Sequence, residues 1–203
     1  MKRNIIYCEQ GTPEWDAVRV GRVTASHFHE VLSGKGSSGW KTYMKNLVGE
    51  RMTNQPAKTY SNKAMEDGLE GEPRARDYYA GIKDVLVQQV GFVQLGDDIG
   101  CSPDGLVDDD GLVQIKCPYA STHCDYILKN VFPSQYKAQV QGELWVTQRQ
   151  WSDFVSYHEA VKNRPLWSVR VERNEQYIQE LAKAVQVFVE ELKAIEAKLI
   201  MPF

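Results

Sequence analysis

From Asp84 to Tyr119 the chain abandons helical spacing. Three segments, DVLVQQVGFVQL, IGCSPDGLV and GLVQIKCPY, are rich in β-branched and apolar residues and are separated by Gly and Asp clusters. Such a run has few solutions, and the simplest is a three-stranded meander. Its tight turn is Asp108-Asp109-Asp110-Gly111, since Asp and Gly tolerate the positive φ that hairpins demand. Helical patterns lie on both sides, so the expected fold is α/β: a central mixed sheet begun by the meander and flanked by helices.

On the N-terminal side, Thr12-Pro13-Glu14 reads as a helix start, with Thr as cap and Pro at the first helical position. A second start at Thr24 or Ser26 leads into HFHEVL, and Ser33 to Gly39 is expected as a loop. Apolar residues at 40, 43, 44, 47, 48 and 52 then recur at helical spacing to about Asn54. A further helix is expected from about Lys63 to Ala80, bent near Glu72 because Gly68, Gly71 and Pro73 interrupt it. On the C-terminal side, Pro133 opens a helix with Tyr136, Val140, Leu144 and Thr147 on one face. WSDFVSYH and LWSVRVE read as two more strands. A closing helix carries apolar residues at 177, 178, 181, 185, 188, 189, 192, 195 and 199, a stripe that needs a core or a partner to cover it.

With 203 residues the chain suits one well-buried domain, spanning 1–203. No apolar run approaches the length of a membrane span, and MKRNIIYCEQGTPEW lacks the apolar core of a secretory signal, so a cytoplasmic location is expected. Cys8, Cys101, Cys117 and Cys124 form no C-x-x-C pair, which favours free thiols; His123 beside Cys124 is a weak hint of zinc. The net charge of -3 excludes a chain that binds nucleic acid by bulk charge. Any such contact must be local, and Lys35, Lys41, Lys45, Arg51, Lys58 and Lys63 concentrate basic charge in the first third.

The hairpin holds the chemistry. If its turn centres near Asp109, Asp104 and Gln114 face one another on neighbouring strands, and Gln114 and Lys116 share a face because side chains alternate along a strand. A carboxylate, a second oxygen ligand and a lysine then converge. Hard cations such as Mg²⁺ take oxygen ligands, while an ammonium cannot ligate but can hold an attacking water or stabilise developing negative charge. This donor set suits phosphodiester hydrolysis.

Cys101-Ser102-Pro103-Asp104-Gly105, followed by Gln114-Ile115-Lys116, resembles the signature of the Pro-Asp…(Asp/Glu)-x-Lys nuclease superfamily. Three further blocks, EWDAVRVGRVTAS, GLEGEPRARDYY and YKAQVQGELWVT, are similar in order and content to the phage lambda-type recombination exonucleases, the alkaline exonuclease family of that superfamily. The resemblance implies a restriction-endonuclease-like core. It implies that Glu72, Asp104, Gln114 and Ile115 form the metal set, that Lys116 is the catalytic lysine, and that Gln139 supports the site. Arg19 and Ser26 match positions that bind a 5′-phosphate, in keeping with the bidentate fork of Arg and a Ser near a helix start. It further implies Mg²⁺, or Mn²⁺ in its place, and digestion of one strand of linear double-stranded DNA from its 5′ end. The products are mononucleotides and a 3′ overhang for a single-strand annealing protein. A ring-shaped homotrimer is implied as well, in a phage or prophage protein acting in a bacterial host.

One position departs from that family: it has an acid where this chain has Gln114. Either the amide oxygen ligates, or the change traps substrate uncleaved. A unit charge about 4 Å from a cation is worth on the order of 4 kcal/mol per unit of cation charge at an effective dielectric near 20, so its loss weakens metal binding or turnover. Two other readings stay open, a structure-specific endonuclease sharing this core and a DNA-end clamp made inert by Gln114. Asp108, Asp109 and Asp110 read as a solvated turn, Trp145, Trp151 and Trp167 as core, and Trp15 and Trp40 as packing residues before DNA contacts.

Overall fold

A computed structural model describes residues 1–57 and 63–201, with side chains from residue 71 onward in the second span. Lys58 and the side chain of Lys63, two of the basic residues counted above, lie outside that description. The chain opens with strand β1 (Arg3–Ile6) and helix α1 (Pro13–Arg19), whose cap is Thr12: its side chain accepts from Trp15 N at 3.3 Å. Strand β2 (Val23–Thr24), a 3₁₀ turn at Ala25–His27 and helix α2 (Phe28–Leu32) follow. Helix α3 (Ser38–Thr53) starts two residues before Trp40 because Ser37 caps it, and it stops at Asn54 in the left-handed region. Helix α4 (Lys63–Lys83) carries Pro73 within its span and continues three residues past Ala80.

The expected meander is replaced by five short strands: β3 (Val87–Gln88), β4 (Phe92–Leu95), β5 (Ile99–Cys101), β6 (Gly105–Val107) and β7 (Gly111–Lys116). They divide between two mixed sheets, one ordered β1-β4-β5-β2. The other is ordered β3-β6-β7-β8-β9, with β8 at Trp151–Tyr157 and β9 at Leu166–Glu172. The break between sheets falls at Ser102-Pro103-Asp104, where Pro103 has no N–H to give to a ladder. Asp104 thus sits where the chain passes from one sheet to the other. Helix α5 (Ala120–Lys129), a 3₁₀ turn at Ser134–Tyr136 and α6 (Lys137–Thr147) form the crossover that lets β7 and β8 pair in parallel. Helix α7 (Glu175–Ile200) closes the chain.

Successive residues of β7 and β8 face opposite ways, and each face has its own cover. Leu112 and Phe154 join one core with Leu144 of α6, Leu47 of α3 and Leu181, Val185, Phe188 and Leu192 of α7. Val113, Ile115 and Val155 join a second with Ala75 and Tyr79 of α4. The apolar stripe of α7 is therefore covered within the chain from Tyr177 to Ile195, while Leu199 near its end stays exposed. At Gly71 of α4 an added Cβ would lie 3.1 Å from Cys117 Sγ, so the helix packs tightly against the residue just past the end of β7. That approach brings Glu72 to the strand bearing Lys116.

Candidate active site

In the β6–β7 hairpin Gly105 pairs with Val113 and Val107 with Gly111. Carried one pair further, this register sets Asp104 opposite Gln114, and the side chains meet there: Gln114 Nε2 donates to Asp104 Oδ2. The main-chain N–H of Ile115 donates to the same oxygen at 2.6 Å. On its other side Gln114 Oε1 accepts from Gln139 Nε2 of α6 at 3.0 Å, and that same nitrogen donates to Glu143 Oε1 at 3.0 Å. Two amides thus link two buried carboxylates in an unbroken chain, Asp104–Gln114–Gln139–Glu143. An ionised carboxylate can only accept, so with Asp104 and Glu143 charged each end of the chain takes an N–H. Gln114 consequently presents its nitrogen to Asp104, and ligation through Oε1 requires the amide to turn.

Helix α4 supplies the opposite wall. Arg76 Nε donates to the main-chain oxygen of Asp104 at 2.8 Å, and its Nη2 pairs with Glu72. Lys116 Nζ lies 5.4 Å from the ring centroid of Tyr136, on the same face of β7 as Gln114. Burial pushes the Glu72 carboxyl up to about 7, and the like charge of Asp104 adds to this against Arg76 and Lys116. Burial also raises Asp104, although Lys116, the Ile115 N–H, Arg76 and Gln114 all favour its anion. Glu143 is raised by burial, and then by Asp104, to about 8. Such acids hold protons in a dry site unless a cation replaces them.

The donor set fits a hard divalent ion in kind. Asp104 and Glu143 are buried oxygen donors and Glu72 a half-buried one, and among the described residues Glu143 Oε2 has no hydrogen-bond partner. Yet among the described residues no three His, Cys, Asp or Glu side chains group closely enough to hold a metal unaided. The reasons are visible: position 114 is an amide, and Glu72 is turned to Arg76. The Ile115 side chain belongs to the core under α4, so any contact it makes with an ion runs through its main chain.

Arg19 and Ser26 lie elsewhere in the fold. The guanidinium of Arg19 is 3.8 Å from the centroid of the Trp15 ring, and its Nε is buried without a partner. Trp15 Nε1 in turn donates to Ser102 Oγ at 2.9 Å and to Gly91 O at 3.0 Å, docking α1 beside the segment that leads into Asp104. Ser26 is exposed, with its Oγ 3.3 Å from Thr24 Oγ1; among the described residues no hydrogen bond joins it to Arg19.

Two site residues were not singled out in the sequence, Arg76 and Glu143. The spacing of Arg76, one helical turn after Glu72, was the available signal; nothing marked Glu143, which is one turn after Gln139. The zinc hint fails. His123 is buried with Nδ1 at 2.8 Å from Ser156 Oγ and Nε2 at 2.9 Å from Arg164 O, and all four cysteines are free. Asp108, Asp109 and Asp110 form an exposed turn whose main chain accepts from Arg149. Arg51 is engaged by Asp98 and Glu196, and Lys35 by Glu191, which leaves the expected basic cluster partly neutralised.

Residues 14–150 match the profile of a family described as the YqaJ-like viral recombinase domain. The fold matches the crystal structure of an alkaline exonuclease from Laribacter hongkongensis with a TM-score of 0.85 and 36% identity, covering 93% of this chain and 96% of that one. That exonuclease has also been crystallised in complex with dAMP. A phage-related exonuclease from Haemophilus somnus 129PT shares the fold at a TM-score of 0.70 and 15% identity, covering 88% of this chain and 96% of that one. The uncharacterised ExoD protein of Escherichia coli K12 is 35% identical over 66 residues, 32% of this chain and 76% of its own.

Proposed function

The chain belongs to the family of YqaJ-like viral recombinase domains, and from that premise we propose that it is a metal-dependent DNA exonuclease of recombination. It digests one strand of linear duplex DNA 5′ to 3′, releasing mononucleotides and leaving a 3′ overhang for a single-strand annealing protein. The observation that carries this reading is the contact of Asp104 with Gln114 across the hairpin, with Lys116 on the same face and Glu72 drawn in by Arg76. The likeness to an alkaline exonuclease that also binds dAMP, a mononucleotide, supports it.

Glu72, Asp104, the amide oxygen of Gln114 and the main-chain carbonyl of Ile115 would hold Mg²⁺, or Mn²⁺ in its place. When bound, the ion supplies a hydroxide-generating water and neutralises charge on the phosphodiester. The remaining work falls to the protein. Lys116 orients the attacking water, whose oxygen bonds to phosphorus as the bond to the 3′-oxygen breaks, and it offsets the negative charge that develops. Gln139 fixes the side chain at 114. Arg19 and Ser26 hold the 5′-phosphate exposed by each cleavage, and Trp15 sets Arg19 in place.

A homotrimer enclosing DNA belongs to the same reading, and it reconciles a net charge of -3 with DNA processing by turning local basic groups inward. Most of the apolar stripe of α7 is already covered, so of that helix only the exposed end at Leu199 and Ile200 is left for subunit contacts. The setting is the cytoplasm of a bacterial host. Among the described residues no helix is long and apolar enough to cross a membrane.

The deciding experiment incubates three substrates with Mg²⁺: linear duplex with a 5′-phosphate, linear duplex with a 5′-hydroxyl, and closed circular duplex. Mononucleotide release from linear DNA, fastest with the 5′-phosphate and absent from circles, is the expected result. Cutting of circles as fast as linear DNA overturns the exonuclease reading.

A further inference from the structure

The Asp104–Gln114–Gln139–Glu143 chain ends on a carboxylate that has no evident reason to be there. Glu143 is 1% exposed; among the described residues its Oε2 is buried without a partner and its Oε1 has one donor, an amide nitrogen of Gln139. No Lys or Arg forms an ion pair with it among the described residues. A buried carboxylate left half-satisfied is costly to the folded state. Helix α6 could carry an alanine or leucine here and pack at least as well, since its neighbours Leu144 and Val140 are fully buried apolar residues.

Position 114, two hydrogen bonds away, shows the opposite anomaly. It faces Asp104 from the neighbouring strand, at the heart of the acidic site, and carries no charge. One position has a neutral group where the chemistry calls for an anion, and a nearby one has an anion where packing calls for a neutral group. Gln139 joins them by donating from one nitrogen to both, at 3.0 Å each.

We propose that Glu143 is a positioning residue that supplies the acid missing at 114. Its charge balances the bound cation from α6, and Gln139, which donates to both, links that charge to the side chain at 114. The inference rests on the metal-nuclease reading above. It predicts that the acid can be moved along the chain: a carboxylate at 143 with an amide at 114, or the reverse, gives one working arrangement, whereas amides at both positions do not.

Mn²⁺ binding to the DNA-free protein, followed by titration calorimetry and by the loss of the free-ion electron paramagnetic signal, reads this without catalysis. Glu143→Gln is nearly isosteric and removes a half-satisfied buried acid, so its metal-free melting temperature should equal or exceed the parent's. Its Mn²⁺ affinity should fall by at least about tenfold, since one weakly screened charge near a divalent ion is worth that or more. The double variant Gln114→Glu with Glu143→Gln should recover parental affinity. If Glu143→Gln binds Mn²⁺ as tightly as the parent, or if the double variant stays as weak as Glu143→Gln, the proposal is overturned while the nuclease reading stands. If the parent takes up no Mn²⁺ at all, both fall together.

Discussion

The guanidinium carbon of Arg19 lies over Trp15, 3.8 Å from the ring centroid, and Trp15 is pinned by its indole N–H to Ser102, two residues before Asp104. The arrangement holds a guanidinium through Trp15 beside the segment that leads into Asp104, with its Nε without a partner among the described residues. Burial lowers the pKa of Arg19 from its usual value, but an arginine keeps its charge across the working pH range. An unpaired, stacked guanidinium suits a phosphate. Arg19→Ala should therefore slow degradation of 5′-phosphorylated ends by about tenfold to a hundredfold, the size of a charged hydrogen bond of roughly 1.5–3 kcal/mol. Degradation of 5′-hydroxyl ends should change little. Equal losses on the two substrates would reduce Arg19 to a packing partner of Trp15.

Three raised carboxyls give the metal-free protein a characteristic pH response. Glu72 and Glu143 stand at about 7 and about 8 in the folded state against a usual value of 4.5, and Asp104 is also raised. Between those limits the folded state holds protons that the unfolded chain has already released. Stability is then fully present below about pH 4.5 and is lost as pH rises through 7 and 8. In chelator the melting temperature should drop by several degrees from about pH 5 to about pH 8.5, and millimolar Mg²⁺ should restore most of it at the upper end, where no protons compete for the oxygens. Glu143→Gln should flatten the slope. A melting temperature that holds steady or climbs over this range in chelator would show that these acids ionise freely in the fold.

The hairpin was legible in the sequence because its geometry is local. A turn centred on Asp109 fixes which residues face one another, and alternation fixes which share a face, so Asp104, Gln114 and Lys116 could be placed before any tertiary structure was known. The division of the meander between two sheets was not, although Pro103 and Gly91 marked the breaks. Strand β2 has two residues and is held through its partner β5, so no pattern of its own could announce it. Glu143 was hidden for another reason. It lies on a helix between Gly142 and Leu144, where an acid ordinarily means a solvated face, and only packing against the sheets shows that this face is buried.

Lys116 and Asp104 should be indispensable in different ways. Asp104→Ala removes the acceptor for Gln114 and for the Ile115 N–H, leaving two buried donors unpaired at a penalty of about 1–3 kcal/mol each. That variant should lose activity, Mn²⁺ binding and several degrees of melting temperature together. Lys116→Ala touches no hydrogen bond of the network, so it should lose turnover while keeping the parental fold and tight metal binding. Finding normal turnover in Lys116→Ala would remove the lysine from the mechanism.

Gln114→Glu is the change that most directly tests how the site carries charge. In the metal-free protein the new carboxylate would face Asp104 where an amide N–H now donates to it, and two acids would repel at hydrogen-bond distance. The melting temperature in chelator should fall by several degrees at about pH 8, and less at lower pH, where one proton can bridge the pair. With Mg²⁺ present the sign reverses, because the ion takes the place of that proton and gains an anionic ligand whose field is weakly screened. The rate of mononucleotide release from linear duplex should then rise by at least about tenfold, with half-saturation at lower Mg²⁺. The two effects share one cause, so they must appear together: a Mg²⁺ titration of melting temperature and of rate, for parent and variant side by side, reads both. If both proteins show the same rate and the same Mg²⁺ dependence, Gln114 serves as well as an acid or stands outside the metal site, and the expectation that a carboxylate at 114 serves better than an amide must be given up.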